Sequence, residues 1–247
     1  MLNSKELWGR TDLSMDILFN SKFLRHNPGS YTEGPYRIEE FISQTREIDL
    51  NGEIYITLVH SESHLKAVRD ACKDHQILAE VHLSPESYDA ACSAVGLAVM
   101  ASELGDFAVV RPPGHHAKPD RADGFCLFNN IAIAAQKLVN EGKKVFILDI
   151  DGHHGDGTQR IFYYSDQVLF CSVHQQYAYP GTGESYETGE GDGKGYTMNF
   201  PLSAGSGDRE LLEAVDTAIT RAEEFKPDVV GVSAGFDGYI EDRLLGL

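Results

Sequence analysis

Apolar and polar positions along this chain keep two rhythms in turn. Short runs rich in β-branched and aromatic residues predict strands: Met15-Asp16-Ile17-Leu18-Phe19, Tyr55 to Val59, Phe107 to Val110, Val145 to Leu148, Val168 to Val173, Tyr196 to Asn199 and Asp228 to Ser233. Stretches of helical spacing lie between them. Leu65, Val68 and Ala71 share one face of a segment from Ser61 to Cys72. Ser84 followed by Pro85 and Glu86 has the features of a helix start, and Gly105 those of its end. Asn129 or Asn130 caps a third helix that runs to Gly142, and a fourth extends from Asp208 toward Phe225, ahead of Pro227. This alternation predicts the α/β class, with three αβα layers around a mostly parallel sheet. In such sheets ligands bind beyond the carboxyl ends of the strands, so chemistry is expected in the residues that follow each apolar run.

Residues 1–14 keep neither rhythm and are expected to be an N-terminal extension, with Met15 as an alternative start and 15–247 as one domain. Acidic residues outnumber basic ones 38 to 21, for a formal charge of -17. That field disfavours a nucleic-acid backbone as partner; it either steers a cationic ligand inward or serves solubility alone. Cys72, Cys92, Cys126 and Cys171 lie apart with no CxxC pair, which argues against a zinc ribbon or disulfide framework and for reduced thiols in cytoplasm. No apolar run has the length of a signal peptide core or a bilayer span, so neither export nor membrane insertion is expected.

The run Leu148-Asp149-Ile150-Asp151-Gly152-His153-His154-Gly155-Asp156-Gly157 places five ionisable groups at the end of an apolar strand. Buried without compensation they would be severely destabilising. A period of two turns Asp149, Asp151 and His153 to one side, and a carboxylate with an imidazole at that spacing suits zinc or another divalent ion. Asp237, at another strand end, supplies a third ligand and leaves one position open, as catalytic rather than structural zinc requires. The competing reading is a buried Asp–His salt bridge. His115 and His116 follow a third strand; such a pair is often structural, but here Asp149 and Asp156 are available to orient the rings as general bases. Phe125 and Tyr179 are either core aromatics or walls of a tunnel beside the metal. Gly181-Thr182-Gly183 and the glycines from Gly189 to Gly195 fail as a phosphate cradle, since Gly195 and Tyr196 rather than Ser or Thr and a helix follow Lys194; a flexible rim loop is expected.

Taken in order, RPPGHHA, GFCLFNN, LDIDGHHGDGT, YPGTG and SAGFDG closely resemble the zinc-dependent histone deacetylase and acetylpolyamine amidohydrolase family, of arginase/deacetylase fold. The resemblance runs from about Met15 to Leu247 and includes His26-Asn27-Pro28-Gly29 and Glu33-Gly34-Pro35-Tyr36-Arg37. It implies zinc on Asp151, His153 and Asp237, with Asp149 pairing His115 and Asp156 pairing His116. His116 is then the proton shuttle and His115 an electrostatic partner. A potassium-type site would use Asp149, Asp151, His153 and Ser172, partly through backbone oxygens. Gly124 would accept the acetamide N–H, and Phe125 and Tyr179 would flank an acyl-lysine stem. The implied substrates are acetylated lysine on a peptide or protein, or an acetylated polyamine. Leu244 occupies the position where polyamine-selective relatives place an acid, which favours acetyl-lysine.

The resemblance also sets three departures. The family polarises the acetyl carbonyl with a tyrosine on a glycine-rich loop beyond SAGFDG, and this sequence ends at Leu247 before such a loop. Losing an oxyanion donor costs ~10²–10³ in turnover, so an inactive acyl-lysine-binding fragment is the alternative expectation. The family's last strand inserts beside the one ending in Asp237; without it the sheet keeps an open slot, which implies a C-terminally incomplete chain, an oligomer or a complementing chain. Finally, the segment from Asp74 to Ser84 is short where the family carries a substrate-binding aspartate, leaving Glu80 as the substitute.

Overall fold

Residues 15–29 and 32–247 are described in the computed structural model of this chain, so the extension expected over 1–14 lies outside them. The chain divides into two compact units, Met1–Lys137 and Leu138–Leu247.

In the first unit, β1 (Ile17–Phe19) pairs in parallel with β2 (Arg46–Glu47) on one side and with β5 (Phe107–Ala108) on the other. Between them come α1 (Tyr36–Glu39), α2 (Glu62–Lys73), the hairpin β3–β4 (Ile77–Leu78 and Val81–His82) and α3 (Pro85–Leu104). Helix α2 starts where predicted because Ser61 Oγ accepts the His64 N–H at 3.1 Å. Helix α3 ends at Gly105, whose φ of 75° is one that glycine adopts freely. Its two sides enter different cores: Ala91, Cys92, Val95 and Val99 pack with α2, and Ala90, Ala94, Leu97 and Met100 pack with β1. Beyond its first turns, where Pro85, Glu86 and Asp89 are exposed, this apolar helix is buried on nearly every side.

The strand expected from Tyr55 to Val59 is instead a 3-10 helix, Glu53–Leu58. The Asn51 side chain accepts the Glu53 N–H at 2.8 Å and begins the turn. Gly52 meanwhile lies so close to α3 that a Cβ there would come within 2.3 Å of the Gly96 nitrogen. A short apolar run does not distinguish strand from helix by periodicity alone, and this backbone approach decides it.

Helix α4 (Asn130–Asn140) leads to the second unit, whose sheet contains β6 (Val145–Asp149), β7 (Val168–Gln175), β8 (Thr197–Leu202) and β9 (Val229–Ser233), with α5 (Asp156–Phe162) and α6 (Asp208–Phe225) as connections. All pairings are parallel, in the order β8-β7-β6-β9. Phe146, Leu169, Cys171 and Val173 bury one face against Ala214, Ala218, Ala222 and Phe225 of α6. Val145, Ile147, Val168 and Phe170 are buried on the opposite face, so the central strands are covered on both sides, as near-continuous apolar runs require.

Two features of this sheet position the site. The chain builds outward from β6 to β7 and β8, then returns to place β9 on the other side of β6. That reversal is a topological switch point at the carboxyl ends of β6 and β9. Ser233, Asp149, Ser172 and Asn199 also stand in register across the four strands, a polar rung above the apolar layers. Strand β9 is the sheet's edge, and Val230 and Val232 on it are 58% and 51% exposed.

Candidate metal centre

Asp149 closes β6 fully buried, and its Oδ1 accepts the Asp151 N–H at 3.1 Å. Asp151 repeats the device two residues on, its Oδ1 accepting the His153 N–H at 2.8 Å. The spacing of two thus arises from successive Asx turns beyond the strand end, rather than from strand alternation carried through to His153. The turns fold Asp151 back so that its Oδ1 also lies 3.1 Å from His153 Nδ1. Asp237, four residues past β9, approaches from the other side of the switch point. Its Oδ2 lies 2.6 Å from the same Nδ1, and its Oδ1 accepts the Gly152 N–H at 2.7 Å.

Ligand atoms of Asp151, His153 and Asp237 all lie within 4.8 Å of one another. Burial pulls the His153 pKa down, but the hydrogen bonds and charges of Asp151 and Asp237 outweigh it and push it up to about 10. Two carboxylates converging on one nitrogen therefore hold a positive charge there. A divalent cation suits that donor set, because it satisfies both carboxylates and the imidazole together.

Glycines in both motifs leave room for these carboxylates. A Cβ on Gly235 would come within 2.0 Å of Asp151 Oδ2, and one on Gly155 within 2.2 Å of Asp149 Oδ2. Asp156 opens α5, buried. Ser172, facing Asp149 across the β6–β7 register, has its Oγ 2.9 Å from His174 Nδ1. The Tyr179 ring stands edge-on to His153, centroids 6.4 Å apart. Leu244 is exposed, its N–H bonded to Asp242 at 2.8 Å, and the neighbour that packs beside Gly152 is Leu245.

The remaining predicted residues belong to the first unit. His115 and His116 are buried with ring centroids 3.9 Å apart. The GFCLFNN motif grips their backbone. Asn129 settles the choice of helix cap, its Oδ1 accepting the Ala132 N–H at 3.1 Å while its Nδ2 donates to the Ala117 and His115 carbonyls at 3.2 and 3.4 Å. Asn130 Nδ2 donates to the Pro112 carbonyl at 3.2 Å. Gly124 and Phe125 both have positive φ, 50° and 66°. That conformation is strained for phenylalanine, and the Phe125 N–H is tied to the Ala79 carbonyl at 3.0 Å. Ala79 and Glu80 themselves turn the β3–β4 hairpin at φ 50° and 67°, where glycine or asparagine is usual. Glu80 thus sits exposed on a strained tip bonded to the loop of Phe125.

Two buried histidines of the first unit, His60 and His64, carry no signal in the sequence. His60 donates from Nδ1 to the Lys118 carbonyl and accepts the Asn129 N–H at Nε2, both at 2.9 Å, and His64 Nε2 donates to the Leu127 carbonyl. These buried rings brace the segment carrying Gly124 and Phe125. Cys72, Cys92 and Cys171 are buried, and burial pushes each thiol up to about 12, which leaves them inert. The glycine-rich loop expected to be a flexible rim is hydrogen-bonded instead, with the Gly183 carbonyl on His174 Nε2 at 3.0 Å and the Thr182 hydroxyl on His154 Nδ1 at 2.8 Å.

A parallel α/β sheet whose switch point presents two carboxylates and an imidazole defines a protein of the α/β class with a candidate metal site. The chain belongs to the histone deacetylase domain family, which matches residues 35–247. It is 36% identical over 255 residues to a probable deacetylase of Archaeoglobus fulgidus, covering 94% of this chain and 71% of that protein. It is 41% identical over 215 residues to the chloroplastic histone deacetylase 10 of Oryza sativa, covering 78% of this chain and 48% of the relative. Among solved structures it resembles the HD domain of HDA15, with a TM-score of 0.89 and 32% identity over 95% of this chain and 75% of that one. An acetylpolyamine aminohydrolase from Burkholderia pseudomallei gives a TM-score of 0.81 and 30% identity, over 94% and 85%. The predicted three-layer α/β fold is the one these neighbours share.

Proposed function

We propose that this chain forms the catalytic part of a zinc-dependent deacetylase that hydrolyses the N-acetyl amide of lysine side chains. Family membership supports the hydrolase class. The observation that carries the metal assignment is the convergence of Asp151 and Asp237 on His153 Nδ1 at the switch point. Bound by these three residues, zinc supplies Lewis acidity toward the amide carbonyl and lowers the pKa of water toward ~7.

The chain's own groups do the rest. His116 takes the proton from the attacking water and delivers it to the departing amine, while His115 remains an electrostatic partner. Asp149 orients His115, and Asp156 orients His116. The Gly124 carbonyl accepts the amide N–H, and Phe125 and Tyr179 flank the acyl-lysine stem, which Leu244 favours over a polyamine. Asp149, Asp151, His153 and Ser172 would hold a potassium ion. The high negative charge draws the cationic flanks of a lysine-rich peptide.

Acetate release from an acetyl-lysine peptide, measured with and without a chelator, tests this. Release that stops on chelation and returns with zinc is expected, and chelator-insensitive release refutes the mechanism. The likeness to an acetylpolyamine aminohydrolase makes N-acetylated polyamine the second arm; faster turnover of that substrate would reassign the amine.

A further inference from the structure

A circuit of hydrogen bonds closes on the carboxyl-terminal end of the Tyr179–Gly183 loop, at Thr182 and Gly183. Glu187 Oε1 accepts the N–H groups of Gly183 and Glu184 at 3.1 and 2.9 Å. Its Oε2 accepts Gln159 Nε2 at 2.6 Å. Gln159 Oε1 in turn faces His154 Nε2 at 3.0 Å and accepts Asn199 Nδ2 at 2.7 Å. An amide oxygen only accepts, so His154 carries a proton on Nε2, and its Nδ1 lies 2.8 Å from the Thr182 hydroxyl. The path thus returns to the residue beside Gly183. That glycine lies against both inner imidazoles, since a Cβ there would come within 2.5 Å of His174 Nε2 and 2.6 Å of His154 Cγ.

Glu187 fixes the sense of the whole ring. A carboxylate is the only end group that accepts from two backbone amides and from Gln159 together. The ring's two outputs are Tyr179, three residues before Thr182, and the metal-ligand residue His153, bonded directly to His154. Tyr179 stands edge-on to His153.

We infer that Glu187 is a positioning residue: acting through Gln159 and His154, it holds the Tyr179 wall against His153. The link to substrate rests on the deacetylase reading above, whereas the ring itself does not.

Glu187→Gln leaves two donors facing each other in either amide orientation, at Gln159 or at the Gly183 and Glu184 amides. The exchanged pair Glu187→Gln with Gln159→Glu restores every donor to an acceptor. In that pair the side-chain amide oxygen introduced at position 187 receives the two backbone N–H groups, and its nitrogen donates toward position 159. The carboxylate now at position 159 receives His154 and Asn199. Hydrogen exchange of the metal-free chain is expected to speed at Gly183 and Glu184 by about tenfold or more in the single variant and to return in the exchanged pair. A 3-fluorotyrosine at position 179 should shift its fluorine line in the single variant and recover in the pair.

On the zinc-loaded chain, KM for an acetyl-lysine peptide should rise about tenfold, with kcat within about threefold and zinc affinity unchanged. Unaltered exchange and an unaltered fluorine line in Glu187→Gln, failure of the exchanged pair to rescue either, or a fall in kcat with KM constant would each overturn the inference. A wild-type chain without turnover but with the exchange and fluorine pattern intact refutes the deacetylase reading and leaves the positioning role standing.

Discussion

His60 of the first unit and His153 of the second are both largely buried, and their environments drive them in opposite directions. Burial, with the charge of His64 beside it, lowers His60 to about 4. Two carboxylates raise His153 to about 10 against the same effect of burial. The spacing in sequence is nearly the same, since Glu62 lies two residues after His60 as Asp151 lies two before His153. Glu62, however, opens helix α2 and is exposed, whereas Asp151 is folded back by an Asx turn at a strand end. An acid near a histidine in the chain therefore says little. Whether the backbone returns the carboxylate to the ring separates a structural imidazole from a candidate metal ligand.

The largest effect should come from breaking that return. Asp237→Asn keeps an oxygen for the Gly152 N–H and so keeps the turn, but removes the charge facing His153. Zinc affinity should fall by more than the ~10–100-fold that outer hydrogen-bond partners are worth, and acetate release should fall with it. His60→Gln, measured by the same zinc competition, should leave affinity unchanged. Equal losses in the two variants would erase the distinction drawn between the two histidines.

The second test is acid. His60 donates one ring proton and accepts an N–H on the other nitrogen, so the folded chain admits no second proton until near pH 4 while the unfolded chain binds one near 6.5. The unfolded state then holds more protons between those values, and stability falls as pH drops through that window, by roughly 2 kcal/mol for His60 at pH 5. His64 and His26 are lowered in the same direction by burial, whereas burial raises Glu33 and opposes them. His153 has the opposite sign: its contribution in the metal-free chain is complete below about 6.5 and is lost as pH rises toward 10, so it takes no part in the acid loss. Urea unfolding of the metal-free chain at pH 7 and 5 reads the difference, and His60→Gln should flatten it. Equal stability at the two pH values would remove the first half of the comparison.

The same contrast explains what the sequence revealed. The strands β6, β7 and β9 and helices α2, α3 and α6 were legible because buried runs and caps are local signals, and Ser61, Gly105 and the Asp208 start fall where expected. The cluster of Asp151, His153 and Asp237 was legible because its residues follow strand ends. Nothing local marked Glu53–Leu58 as helical, because the approach of Gly52 to Gly96 spans residues far apart in the chain. The glycines of YPGTG suggested looseness, whereas Gly183 is required because two imidazoles occupy the space of its side chain. His60 and Glu187 escaped notice because their partners, the Asn129 amide and the Gln159 side chain, are distant in sequence.

The smallest effect concerns the cap between the two first-unit histidines. Ser61 is extended at φ -69° and ψ 150°, and its Oγ accepts the His64 N–H. Its own N–H donates to the Pro119 carbonyl at 2.8 Å, so the cap ties the start of α2 to the segment that His60 also braces. Ser61→Ala removes the side-chain acceptor, along with the hydroxyl's contact to Ser63 Oγ at 2.9 Å, and should cost about 1 kcal/mol in urea unfolding. Ser61→Asp restores an acceptor and places a negative charge at the helix's positive end, so it should recover most of the loss. Neither change reaches the carboxylates around His153, and zinc affinity should be unmoved in both. A Ser61→Ala chain that lost zinc as Asp237→Asn does would mean that the structural histidines and the metal centre answer to one common constraint, and the contrast between them would have to be abandoned.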